Sequence, residues 1–152
     1  MLIDIDVDVF MEKPWGKKAS VLLLVAEKVF NNLKSHVDAY NVCEKAVNDC
    51  WVWLGDREMV SPQSISYYVD SDEVQQGCLD ESNFESGGVE QSSLIFILMV
   101  VGYFANRAYL VSGISDQMSE SVCEANDNLL PCFLEFADQL GHKDFIFYYL
   151  GR

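Results

Sequence analysis

Apolar and polar residues along this chain repeat with two different periods. Residues 2–10 alternate apolar and acidic side chains, and a period of two predicts a short strand or an extended arm within residues 1–16. Pro14 and Gly16 then break the pattern. From Lys17 onward the apolar residues recur three and four positions apart, which places them on one face of an amphipathic helix. We therefore expect a helical chain after the first 16 residues.

Helix start and stop signals divide the helical part of the chain. Two predicted helices, residues 17–34 and 38–54, are joined by a few residues and should form an antiparallel hairpin. Ser61 and Pro62 are typical of an N-cap and a first helical position, so a short helix should follow them. Residues 70–88 form a polar loop. Residues 115–128, 131–140 and 145–150 are three further stretches, each with an apolar face.

The most apolar stretch, residues 94–105, lies inside a helix predicted over residues 90–112. This helix is apolar on nearly every side and should be central, with other helices packed around it. Its Gly102 would allow a close neighbour. Twelve residues are too few to span a bilayer, so we predict no membrane partner. The predicted fold class is all-α, a compact bundle of five or six helices around a central hydrophobic helix, in a single domain over residues 1–152.

Charge divides the chain into two unequal parts. Residues 1–57 contain 7 Lys or Arg against 9 Asp or Glu, whereas residues 58–152 contain 3 against 15. No basic residue lies between Glu58 and Asn106. A surface with this charge repels nucleic acid and anionic lipid and attracts a basic protein. The sequence therefore predicts a basic protein partner and no direct binding of nucleic acid.

Eleven acidic residues in two stretches are candidates for binding that partner. Arg107 is the only cation between the first and the last of them. Such residues often serve only to keep a protein soluble, but so many like charges repel one another, which favours a binding role. The candidates are Asp70, Asp72, Glu73, Asp80, Glu81, Glu85, Glu90, Asp116, Glu120, Glu124 and Asp127.

No residue pattern predicts catalysis, a cofactor or a bound metal. The alternating aspartates Asp4, Asp6 and Asp8 resemble the D-x-D motif of magnesium-dependent phosphotransferases, but no later acidic pair after a strand completes a metal shell. His36 and His142 lack the spacing partners of a zinc site. We therefore predict a protein without enzymatic activity and keep the phosphotransferase as the least favoured alternative.

Cysteine usage and the N-terminus indicate the compartment. The five cysteines include no C-x-x-C pair, and we expect free thiols buried as small apolar groups in a reducing cytosol. The N-terminus has acidic residues where a secretory signal needs basic ones. Both features predict a cytoplasmic protein. The cysteines are Cys43, Cys50, Cys78, Cys123 and Cys132.

Aromatic residues cluster around the end of the second predicted helix. Trp51 and Trp53 flank its apolar face, and Tyr67 and Tyr68 follow in the next predicted helix. Trp and Tyr are common anchors at protein interfaces. Two Trp at a helix end beside a short helix also pack well in a core. We favour the core, with at most one of the two Trp substantially exposed.

Five short motifs are spread over residues 21–140. They are C-W-V-W-L-G at 50–55, V-S at 60–61, Y-Y-V at 67–69, A-Y at 108–109 and L-P at 130–131. With these motifs the segment resembles a helical family of bacterial immunity proteins, which neutralise polymorphic toxins, including those of contact-dependent growth inhibition systems. The resemblance implies an all-α protein that binds one toxin domain tightly and covers its active site or substrate groove, without chemistry of its own. It assigns no contact residues.

The resemblance and the charge distribution together define the expected partner. Many toxins of these systems are nucleases, and nucleases are basic because they bind a polyanion. We therefore expect a cognate toxin domain, most simply a basic nuclease, to bind the acidic candidates. The alternative is a small acidic helical adaptor for another basic protein.

Overall fold

The computed structural model describes the backbone of residues 4–150 and the side chains of residues 7–150. Within this range the chain is α-helical, with short 3-10 turns and no β-strand, which confirms the predicted all-α class. The helices are α1 (Asp4–Met11), α2 (Trp15–Val29), α3 (Val37–Gly55), α4 (Pro62–Asp70), α5 (Asp72–Gln75), α6 (Val89–Val111), α7 (Glu120–Glu124), α8 (Leu130–Gln139) and α9 (Lys143–Tyr149).

The N-terminal segment does not form the predicted strand or extended arm. Its backbone is helical in α1, and hydrogen bonds from the Glu12 and Lys13 amides continue the turn by two residues beyond Met11. Val7 and Phe10, three residues apart, lie on one face of α1, and Phe10 is fully buried. The burial of Phe10 against the bundle, with α1 packed on α8, overrides the alternating pattern. Residues 1–3 of the predicted strand lie outside the described residues.

Helix α6 is the centre of the bundle, as predicted. Helices α2, α3, α4, α7 and α8 all pack against it. By length and composition alone α6 could cross a membrane, but 67% of its most apolar window is buried inside the protein. Here it serves as the core helix on which the other elements assemble.

Helices α2 and α3 form the predicted antiparallel hairpin. The ring of Trp15 contacts that of Trp53 at one end, with 5.9 Å between centroids, and Phe30 contacts Tyr40 at the other, with 5.3 Å. Trp53 is buried against α6, whereas Trp51 is half-buried and donates a hydrogen bond from Nε1 to Glu27 Oε1 at 2.6 Å. The core interpretation of the Trp pair is therefore correct for Trp53.

Several local signals act as the sequence predicts. The Ser61 hydroxyl caps α4 by accepting a hydrogen bond from the Ser64 amide at 3.1 Å, with Pro62 at the first helical position. A Cβ added at Gly102 would lie 3.3 Å from the Cβ of Ala125. This glycine therefore lets the end of α7 approach α6 closely.

A buried lysine connects four parts of the fold. The Lys18 ammonium donates hydrogen bonds to the Met11 carbonyl at 3.2 Å and to Asp127 Oδ2 at 3.3 Å. Asp127 Oδ1 in turn accepts a hydrogen bond from the Tyr103 hydroxyl at 2.6 Å. Burial and this bond to Asp127 raise the pKa of Tyr103, so its hydroxyl remains a donor. The network ties α1, α2 and α6 to the turn before α8.

The prediction of buried cysteines is correct for α3 and wrong for two later positions. Cys43 and Cys50 are buried in the core, while Cys78 is half-buried. Cys123 and Cys132 are exposed because α7 and α8 turn them away from the core, which takes Val122 and Phe133 instead. Burial is the main cause that raises the pKa of Cys43 to about 12, and it also raises the pKa of Cys50.

The differences in exposure and pKa among the cysteines predict selective thiol labelling. The thiolate is the nucleophile that attacks a disulfide reagent, so at pH 8 Cys123 and Cys132 should react with 5,5′-dithiobis(2-nitrobenzoate) in the native protein. Cys43 and Cys50 should react only after unfolding, because burial blocks access and raised pKa values remove the thiolate. Mass spectrometry of the labelled peptides identifies the sites. Rapid native labelling of Cys43 would contradict the described packing of α3.

The Lys18 network predicts that Asp127 stabilises the fold. Asp127→Asn removes the charge that faces a buried ammonium, and we expect a loss of about 1–2 kcal/mol because Asp127 itself is half-exposed. Urea unfolding measures this loss. The matched control is Glu124→Gln, an exposed acid without such a partner, which should change stability by less than about 0.5 kcal/mol. Equal effects of the two substitutions would refute a structural role for Asp127.

Candidate functional site

The two acidic stretches predicted from the sequence lie beside each other in the fold. The Ser119 hydroxyl donates a hydrogen bond to Asp70 Oδ1 at 2.8 Å, and this bond joins the end of α4 to the start of α7. Ser119 also caps α7 by accepting from the Val122 amide at 3.1 Å. Ser119 therefore links the two segments that carry the acidic candidates.

Three of these candidates accept hydrogen bonds that organise their own segments. Asp70 binds Ser119, and Glu73 accepts a hydrogen bond from the exposed Tyr67 hydroxyl at 3.0 Å. Asp80 Oδ1 accepts from both the hydroxyl and the amide of Ser82, at 2.7 and 2.9 Å. These two bonds lower the pKa of Asp80 and keep it ionised as the cap of the 3-10 turn Glu81–Asn83.

Two further candidates contact a basic side chain within the chain. Glu90 Oε2 lies 3.1 Å from Nε2 of His36 and accepts a hydrogen bond from the Ser35 hydroxyl at 2.8 Å. It therefore fastens the first turn of α6 to the loop before α3. Asp127 is held by Lys18, as described above. Both residues contribute first to the fold.

Six of the eleven candidates have carboxylates without a hydrogen bond or ion pair among residues 7–150. We call them the free acidic set. Arg107, the one cation between the two stretches in the sequence, does not pair with them, since it lies over the ring of Trp15, 5.1 Å from its centroid. The set consists of Asp72, Glu81, Glu85, Asp116, Glu120 and Glu124, all of them exposed.

An open groove, which the sequence does not predict, lies between the two acidic stretches. Its volume is about 250 Å³. Its floor is one stripe of α6 at positions i, i+3, i+4 and i+7, and its walls come from α4, α5, the turn after Asp80, and α7 with the residues that follow it. We call it the α6 groove; its lining residues are Val69, Gln75, Glu81, Ile95, Leu98, Met99, Gly102, Ser121, Ala125 and Leu129.

The floor of the α6 groove is apolar and incompletely covered. Ile95, Leu98 and Met99 are half-buried, whereas their neighbours Phe96 and Ile97 on the other faces of α6 are fully buried. The pattern of residues 94–105 predicted burial on all sides. The pattern does not indicate which face of α6 the short helix α7 leaves uncovered.

A second concavity, of about 450 Å³, lies on the face formed by α2 and α3. It has mixed charge, since Lys45 lines it together with Glu27 and Glu44. Among the described residues no cluster of His, Cys, Asp and Glu has the geometry of a metal site. The strand on which the phosphotransferase interpretation of Asp4 and Asp6 depended is replaced by helix α1.

Comparison with known proteins identifies the family. A family model described as immunity protein Imm6 matches residues 17–140 of this chain. The searches of the curated proteins and of the solved structures returned no significant match. The match confirms the resemblance to immunity proteins that the motifs of residues 21–140 indicate. Because it spans most of the chain, the protein belongs to the Imm6 family of immunity proteins.

Proposed function

We propose that this protein neutralises a cognate toxin domain that is basic, most simply a nuclease, by binding it through the free acidic set. Membership of the Imm6 family indicates an immunity role, in which a toxin is the target. The proposal adds the chemical character of that toxin and the surface that meets it. The supporting observation is that six exposed carboxylates on adjacent segments have no counter-charge among the described residues.

The physical argument concerns both affinity and rate. A nuclease needs a basic substrate groove because nucleic acid is a polyanion. An acidic inhibitor can cover that groove, exclude the substrate and associate rapidly through electrostatic steering. The protein needs no cofactor or catalytic group for this role. We place it in the cytoplasm, where it would meet an incoming toxin, without direct contact with nucleic acid or membrane.

The self-repulsion of the acidic residues is relieved in this complex. Like charges held on adjacent segments destabilise the free protein. Cations of the toxin that pair with Glu81, Glu120 and Glu124 would remove that repulsion and add favourable contacts. Residues such as Asp80 and Asp127, which have partners within the chain, would contribute less because pairing with the toxin competes with their present bonds.

The proposal predicts a salt-dependent association rate with the cognate toxin domain, which is to be sought first in the gene next to this one. Stopped-flow measurements should show the rate constant falling by about 10-fold or more between low and high ionic strength. The double reversal Glu81→Lys/Glu124→Lys should lower it further, because both carboxylates are exposed and lack internal partners. Circular dichroism should show an unchanged fold.

The control must change the net charge by the same amount elsewhere. Glu44→Lys/Glu135→Lys reverses two exposed acids on α3 and α8, outside the free acidic set. We expect a change in the association rate of less than about 3-fold, from the net charge alone. The acidic-surface proposal fails if both double variants behave alike, or if the rate is independent of salt.

A further inference from the structure

We infer that the α6 groove receives an apolar side chain from a basic segment of the toxin and is the anchor point of the complex. This inference rests on the proposed function and goes beyond it. The free acidic set would guide the toxin to the surface, whereas the groove would hold it there. The two contributions appear in different rate constants and can be separated.

The incomplete cover of α6 is the first observation. Ile95, Leu98 and Met99 occupy one face of the most apolar helix in the described structure, yet each remains only partly buried. Val69 and Leu129 extend the same apolar surface on the walls. Single exposed apolar residues are common on protein surfaces, whereas these five partly buried residues line one concave surface. The groove therefore offers apolar area that a partner can bury.

The size of the groove is the second observation. Its volume of about 250 Å³ is below the roughly 300–1,000 Å³ typical of small-molecule sites. A cavity of roughly 150 Å³ already holds a benzene molecule. The groove thus fits one large side chain such as Phe, Leu or Met better than it fits a cofactor. One buried anchor residue is also how many protein interfaces concentrate their affinity.

The charge of the rim selects the occupant. Glu81 is itself a lining residue, and Ser121 lines the groove between Glu120 and Glu124 in the sequence of α7. An apolar side chain between Lys or Arg residues would bury its hydrocarbon in the groove while its neighbours pair with these carboxylates. A second copy of this chain, with its net charge of −14, would instead bring like charges together. The occupant is therefore a basic segment of the toxin.

A filling substitution tests the groove without removing any core contact. Ser121 is exposed and lines the groove, so Ser121→Trp would occupy the space meant for the toxin side chain. With the adjacent-gene toxin domain as the probe, we expect the dissociation constant to rise by about 10-fold or more, mainly through faster dissociation. The salt dependence of association should be unchanged. The matched control is Asn48→Trp, which fills the concavity on α2 and α3 and should alter the dissociation constant by less than about 2-fold.

A second variant guards against misfolding of the first. Leu98→Ala removes a half-buried side chain from the groove floor and should also speed dissociation. Wild-type dissociation rates in both groove variants would overturn the inference and leave the proposed function intact. Failure of the wild-type protein to bind the toxin domain would overturn both. An equal loss in Asn48→Trp would move the interface to the face of α2 and α3 and overturn the groove assignment.

Discussion

The need to bury α6 determines the rest of this structure. The helix is apolar on nearly every side, and each exposed turn of it would lose the favourable free energy of apolar burial. Helices α2 and α3 cover one side as a hairpin, α4 covers another, and α7 and α8 cover most of the remainder. The Lys18 network contributes to this arrangement, because it holds Asp127, just before α8, against Tyr103 of α6. The α6 groove forms where this cover is thinnest.

The sequence predicts the scaffold well because the scaffold follows local rules. Helix periodicity, the cap formed by Ser61 and Pro62, and the close approach at Gly102 each depend on a few neighbouring residues. The N-terminal helix was missed because its alternating pattern suggests a strand until Phe10 is seen to pack against the bundle. Exposed Cys123 and Cys132 were missed for a related reason, since the orientation of short helices is set by tertiary contacts.

The acidic surface shows a different limit of sequence reasoning. Composition reveals how many carboxylates are present, but only the fold separates those with partners from those without. Asp70, Asp80, Glu90 and Asp127 each form a hydrogen bond or ion pair within the chain, although nothing in their spacing distinguishes them from Glu81 or Glu120. The sequence does not predict the α6 groove for the same reason, because the lining residues come from segments far apart in the chain.

The free acidic set is energetically separate from the core, and this has a consequence for how the protein can evolve. Its six carboxylates support no helix cap, ion pair or buried contact among the described residues, so their replacement leaves the folding free energy nearly unchanged or slightly improved. If the free acidic set binds the toxin, as proposed, selection on these six positions comes from the toxin alone. The acidic surface could then change with the toxin while the α6 core stays fixed.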